Sequence, residues 1–206
     1  MRTEAKSGAD RPQNERSLLL ELGGLALTVV TRRDEDGELL IRELQRLRAR
    51  VRHIWPIPDR LPEDADVIYC DFGAGFADRI PWVPGEPKAA LVAIIPLVPR
   101  PDLAALRNSA PDAVLHKPFT TYTILTSLVM ARSQFLYDQR LRTRIEKLDE
   151  NLRTMRSVER AKAILMAARH LREDEAYNFM RRQAMDRRVS ISAVAAAIVD
   201  SHEILG

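Results

Sequence analysis

The chain has 206 residues, 46% of them hydrophobic, 5% aromatic and 30% charged. That length suits one large domain or two small ones with a mostly aliphatic core. With 32 Lys and Arg against 29 Asp and Glu, the formal net charge of +3 does not by itself argue for a polyanionic partner. Arginine far outnumbers lysine, which suits bidentate contacts to phosphate or base edges and equally suits a GC-rich genome.

The single cysteine, Cys70, lies in an apolar run. It cannot form an internal disulfide, and no structural zinc spacing accompanies it. A buried thiol in a reducing compartment is expected. The first 16 residues, MRTEAKSGADRPQNER, are polar, lack the apolar region of a secretory signal, and are expected to be disordered. No run reaches the roughly 18 apolar residues of a membrane span. A cytoplasmic protein without a membrane partner is expected.

The segment GLALTVV (24–30) reads as a buried strand. GELLIRELQRLRARV follows, with Leu39, Leu40, Leu44 and Leu47 at helical spacing. RHI (52–54) supplies a short strand, DVIYCDF (66–72) a clear one and KAALVAII (88–95) another. Between the last two, GAGFADRIPWVPGEP is rich in Gly and Pro and predicts a stunted helix or a loop. DLAALRNS (102–109) is a short helix, and DAVLHKPF (112–119) a final strand ending in Lys-Pro. Strands alternating with helices predict a doubly wound (βα)5 domain with a parallel sheet over residues 17–127.

From Thr120 the chain has neither proline nor glycine for nearly fifty residues. Leu141, Ile145, Leu148, Leu152 and Met155 recur at alternating spacings of four and three. That is a coiled-coil seam, expected over 128–156 and able to join two copies of the chain; a helix packed within one chain would show the same stripe. Three short amphipathic helices are expected to close the chain over 157–206. The first is predicted to start at a Ser157 cap and end at Arg169, the second to span Arg172–Arg187, and the third to begin near Ser190.

The N-terminal series resembles the receiver domain of two-component response regulators. In DVIYCDF, Asp71 stands where such domains carry the phosphoacceptor, and HKPF places Lys117 and Pro118 at the family's Lys-Pro. Other parts depart from the pattern. Thr31 and Arg32 occupy the place of the acidic pair, and Ile95 or Pro96 replaces the hydroxyl residue after the fourth strand. A single carboxylate beside Arg32 or Arg33 makes a poor magnesium site, and aspartyl phosphorylation needs that ion. Asp71 is therefore expected to form an ion pair with Lys117 or Arg32, although a register shift bringing in Asp34 and Glu35 would restore acidity. No cofactor and no metal are expected.

The C-terminal stretch ERAKAILMAARHLREDEAYNFMRRQAMDRRVSISAVAAAIVDSH resembles the ANTAR domain, the RNA-binding module of transcription antitermination regulators. The family pattern is matched by Ala161-Lys162, Leu165-Met166, Glu175-Ala176, Ala184-Met185 and Val194-Ala195. His170 departs from it, falling where many members have glycine. The segment Trp55-Pro56-Ile57-Pro58 also resembles regulators that join a degenerate receiver to this module. The resemblance implies binding to leader mRNA hairpins so that the terminator does not form. It also implies a homodimer through the coiled coil, and control by a ligand-sensing negative regulator that resembles a periplasmic binding protein.

The candidate RNA contacts are Arg160, Lys162, Tyr177, Arg181, Arg182, Arg187 and Arg188, polar residues beside the apolar stripes. From residue 131 onward 15 Lys and Arg face 11 Asp and Glu, so recognition would depend on local placement. Tyr177 is either a stacking platform for a loop base or part of the small core. Three alternatives stay open: a phosphorylation-dependent response regulator binding DNA or RNA, a dimeric interaction protein without RNA, and an enzyme. The last is disfavoured, because His53, His116, His170 and His202 lie on separate elements with no nucleophile or metal spacing.

Overall fold

Apolar side chains alternating along short strands build the sheet. The structure, a computed structural model, describes residue 17 and residues 20–83 and 86–205; the N-terminal arm expected to be disordered lies outside the described residues. Five strands, β1 (Ala26–Val30), β2 (Arg50–His53), β3 (Val67–Asp71), β4 (Ala90–Ile95) and β5 (Ala113–His116), form one parallel sheet in the order β2-β1-β3-β4-β5. The helices are α1 (Glu35–Arg46), α2 (Leu103–Ser109), α3 (Thr121–Arg169), α4 (Glu173–Arg187) and α5 (Ile191–Leu205).

Because successive side chains point to opposite faces, the central strands β1, β3 and β4 each feed two cores. Leu27, Val29, Val67, Tyr69, Val92 and Leu115 pack on one face with Leu40 and Leu44 of α1 and with Ile124 and Leu128 of α3. Val30, Ile68, Cys70, Leu91, Ala93 and Ile95 pack on the other with Phe72, Phe76 and Leu61. Burial and the neighbouring Asp71 charge push the Cys70 thiol up to about 12, so it stays protonated at neutral pH.

Two connections are irregular. Residues 54–66 form no helix, and 77–79 make only a single 3-10 turn. Pro56, Pro58 and Pro62 in the first, and Pro81, Pro84 and Pro87 with three glycines in the second, remove the amide donors and stiffness a helix needs.

The chain divides into two compact units, one ending at Asp138 and one beginning at Gln139. The expected helix start at Ser157 is not there. Helix α3 runs unbroken for 49 residues, and Ser157 is a half-buried interior position. Serine lowers helix stability by only about half a kcal/mol in such a place, and no Gly or Pro accompanies it to stop the helix. Its signature as a cap is therefore overridden by the good helix formers around it.

Candidate nucleic-acid interface and the residual receiver site

The second unit has its own core. Ala161 and Leu165 of α3, Ala176, Met180 and Ala184 of α4, and Val194, Ala195 and Val199 of α5 are buried together. Four alanines among them let the helices approach closely. The α3–α4 turn passes through His170 at φ 54°, in the left-handed region where glycine is favoured. Histidine occupies it, so the turn keeps the geometry expected of the glycine. Helix α4 then begins with Glu173, Asp174 and Glu175, carboxylates placed at the positive end of the helix dipole. The Arg172 amide donates to Glu175 Oε2 at 2.8 Å. Helix α5 begins after Ser190, whose hydroxyl accepts from the Ala193 amide at 3.2 Å.

The seven candidate contacts fall into two groups. Lys162 is largely buried, and its ammonium lies 2.7 Å from both Glu159 Oε1 and Glu173 Oε1. The hydrogen bonds to Glu159 and then Glu173 raise the Lys162 pKa, and Lys162 in turn holds the Glu173 carboxyl below its usual range. Lys162 thus joins α3 to the first turn of α4. Arg160 Nη2 lies 2.8 Å from Glu203 Oε1 and joins α3 to α5. In the other group, Arg181, Arg182, Arg187 and Arg188 are exposed, and no carboxylate pairs with any of them among the described residues. Tyr177 is 45% exposed, and Arg181 follows it by one helical turn on the same face. Arg182 Nε donates to the Asn178 carbonyl at 3.4 Å. Arg188 closes α4 in the left-handed region at φ 55°.

The seam residues are about half exposed, from 41% for Leu141 to 64% for Met155. Five large apolar side chains on one stripe of a long helix meet water in a single copy.

The first unit carries the residual receiver site. The buried Thr31 hydroxyl donates to Asp71 Oδ1 at 2.8 Å. Lys117 Nζ lies 3.3 Å from Asp34 Oδ2 and 3.9 Å from Asp71 Oδ1. Arg32 turns away and places its guanidinium over Trp55, 5.9 Å from the ring centroid. Ile95 is buried in the sheet's second core. Asp34 caps α1 by accepting from the Gly37 amide at 2.9 Å. Burial works to raise the Asp34 carboxyl, but that hydrogen bond and the Lys117 charge outweigh it and hold it below the usual range. Asp36 accepts from the Phe119 amide at 3.0 Å. Glycine is required at 37, since a Cβ there would meet the Arg32 carbonyl oxygen at 2.2 Å.

These residues do not fit a magnesium ion. Of the three aspartates, one caps a helix, one binds a backbone amide, and Asp71 is held by a hydroxyl and faces a lysine. The register does not shift to restore an acidic pair: Thr31 keeps its place against Asp71, and Asp34 reaches Lys117 from the cap of α1. Asp34 and Asp36 had adjacent-carboxylate signals in the sequence, but their partners lie 83 residues away.

A receiver-like sheet in which Asp71 is engaged internally is followed by a long helix and a small arginine-bearing helical module, and the families that this chain matches are regulators. Residues 25–132 match the AmiR N-terminal domain, and residues 146–199 match the ANTAR domain. The chain belongs to the AmiR family of ANTAR-domain regulators, a class of transcription antitermination regulators. It is 28% identical to the aliphatic amidase regulator of Pseudomonas aeruginosa over 186 residues, 89% of this chain and 95% of that one. It is 32% identical to the transcriptional regulatory protein PdtaR of Mycobacterium tuberculosis over 95 residues, 46% of each. The response regulator StyR, known from a low-resolution structure, superposes with a TM-score of 0.51 at 12% identity, covering 85% of this chain and 98% of that one; that likeness is one of fold. No described helix is long and apolar enough to cross a membrane.

Proposed function

We propose that this protein binds hairpins in a leader mRNA through its C-terminal module and thereby prevents the terminator from forming. The observation that carries this reading is the set of exposed arginines, Arg181, Arg182, Arg187 and Arg188, which have no carboxylate partner among the described residues, with the half-exposed ring of Tyr177 one helical turn from Arg181. Arginine planes pair with phosphates and stack on unpaired bases, and a tyrosine ring offers a further stacking face. No covalent chemistry is needed. The protein shifts the RNA toward whichever fold it binds more tightly.

Two copies joined through the seam from Leu141 to Met155 would carry two modules, so that the second hairpin is captured at high effective concentration. Control by phosphorylation is disfavoured by the Thr31 and Lys117 contacts at Asp71. Control by a sequestering partner fits better: a ligand-sensing negative regulator that resembles a periplasmic binding protein and releases this protein when its ligand binds. The setting would be the cytoplasm, where transcripts are made.

The test is the affinity of the purified protein for the leader transcript of its adjoining operon, with same-sequence duplex DNA and the R181E/R182E double variant as controls. Selective RNA binding lost in the variant is the expected result. Equal binding to the DNA duplex would overturn the reading in favour of a DNA-binding regulator.

A further inference from the structure

The C-terminal module also contains a groove of about 680 Å³ between the last turns of α3, the inner flank of α4 and one face of α5. Its floor is apolar, formed by Ile164, Leu165, Phe179, Val194 and Ile198. The walls arise from residues one helical turn apart: Phe179, Gln183 and Arg187 on α4, and Ala193 and Ala197 on α5. Ala168, Ala193 and Ala197 are small and exposed, and this keeps the groove open. Its volume is in the range of sites that hold small planar ligands.

The polar groups at its edge are Arg169, Gln183, Arg187, Ser201 and His202, with no carboxylate among the lining residues. In a module where acidic residues sit elsewhere on all three helices, that selection favours an anionic occupant. The Arg169 guanidinium lies over the Phe179 ring, 4.7 Å from its centroid. This contact holds a flat cation at the mouth of an apolar slot. An apolar side chain from a protein would use the floor but leave both arginines unanswered.

We propose that the groove receives one unpaired nucleobase of an RNA loop, with the phosphates beside it on Arg169 and Arg187. This deepens the RNA reading above and rests on it. A base within a duplex presents only its edges, whereas a splayed base offers a planar face to the floor and a charged backbone to the rim. The groove would therefore add to the selection of hairpins with unpaired loop bases over continuous helix.

The experiment fills the groove without altering charge. Ala197→Phe and Ala168→Phe occupy it from α5 and from α3, while Ala196→Phe places the same ring on an exposed part of α5 outside it. Circular dichroism melting selects the variants that remain folded, and two independent walls guard against loss of one. Binding is measured with the leader transcript of the adjoining operon, unlabelled and with 2-aminopurine at each unpaired purine in turn. Either filled variant should bind about tenfold or more weakly, with Ala196→Phe within about twofold of the parent. One 2-aminopurine position should change its emission with the parent and not with the filled variants. Undiminished affinity in a folded filled variant would overturn the groove proposal; if R181E/R182E still abolishes binding, the RNA reading survives. No RNA binding by the parent would overturn both.

Discussion

The Thr31 hydroxyl is hydrogen-bonded to Asp71 Oδ1 across 2.8 Å, from a side chain that is itself fully buried. A residue standing where a receiver would present an acid instead supplies a donor to the acceptor aspartate. With Lys117 facing the same oxygen, Asp71 has become part of the framework that ties β1, β3 and the end of β5 together. Thr31→Val keeps the shape and removes the donor, so it should lower stability by about 1–3 kcal/mol, read as an earlier denaturation midpoint. Asp71→Asn should leave RNA affinity unchanged with or without a phosphodonor; a phosphodonor-dependent affinity in the parent that disappears in Asp71→Asn would sink the structural assignment.

The Lys162 bridge should make the C-terminal module sensitive to pH only at the extremes. Glu173 has a depressed pKa, so its contribution is present above its ordinary value of 4.5 and is lost as pH falls through the lower folded value. Lys162 has a raised pKa, so its contribution is present below 10.5 and is lost as pH rises through the higher folded value. Between these limits the bridge adds a constant amount. Glu173→Gln should therefore melt earlier than the parent at pH 7, and the two melting temperatures should converge in acid well below pH 4.5. A gap that persists there would mean the carboxylate charge is not what stabilises the turn.

Left-handed backbone at His170 costs a side-chain-bearing residue about 1 kcal/mol. His170→Gly relieves that strain but gives the unfolded chain more freedom. The net expectation is a stability gain of up to about 1 kcal/mol with unchanged RNA affinity. A marked loss in affinity would instead place the His170 imidazole in the RNA contact.

The exposed seam predicts self-association. Leu148 and Leu152 are about half exposed in one copy, and a partner helix would bury them as facing knobs. Leu148→Asp with Leu152→Asp should convert a dimer to a monomer in sedimentation equilibrium, weakening RNA capture by the loss of bivalency while leaving the melting of each unit nearly intact. A monomeric parent at micromolar concentration would remove the seam from the account.

The arginines of α4 should also appear in the salt dependence. If Arg181 and Arg182 each neutralise a phosphate, replacing both with glutamine should flatten the plot of log affinity against log salt by about 1.4–1.8. Tyr177→Phe should keep a stacking contribution that Tyr177→Ala loses, worth about 1–3 kcal/mol. Equal effects of the two substitutions would assign the hydroxyl, not the ring, to the interface.

Much of this architecture is local and therefore legible in the residues. The runs ALTVV, VIYCD and ALVAII announce buried strands because each lies between sheet faces that exclude water, and the alternation of four and three from Leu141 to Met155 records one stripe of a helix. The module's three helices are likewise readable from their amphipathic periods, while its Ala161-Lys162 and Glu175-Ala176 pairs are legible through the resemblance to the ANTAR domain. The α3–α4 turn could be foreseen as unusual from His170, although its left-handed geometry could not. Other features depend on residues distant in the chain. Lys162 has the composition of an RNA contact and becomes an internal bridge because Glu173, eleven residues on, is folded back against it. Asp34 reads with Glu35 as a candidate acidic pair, and Asp36 is not singled out, until Lys117 and the Phe119 amide arrive from 83 residues away. Ser157 reads as a helix start, and the helix passes through it because a side chain able to cap does so only where neighbouring residues break the chain's path. The groove belongs to no single element: Arg169, Gln183, Arg187 and His202 acquire a common purpose only when three helices pack. Periodicity reports which face of an element is dry, whereas the partner of a charge is set by where the folded chain brings another charge, and that is a property of packing alone.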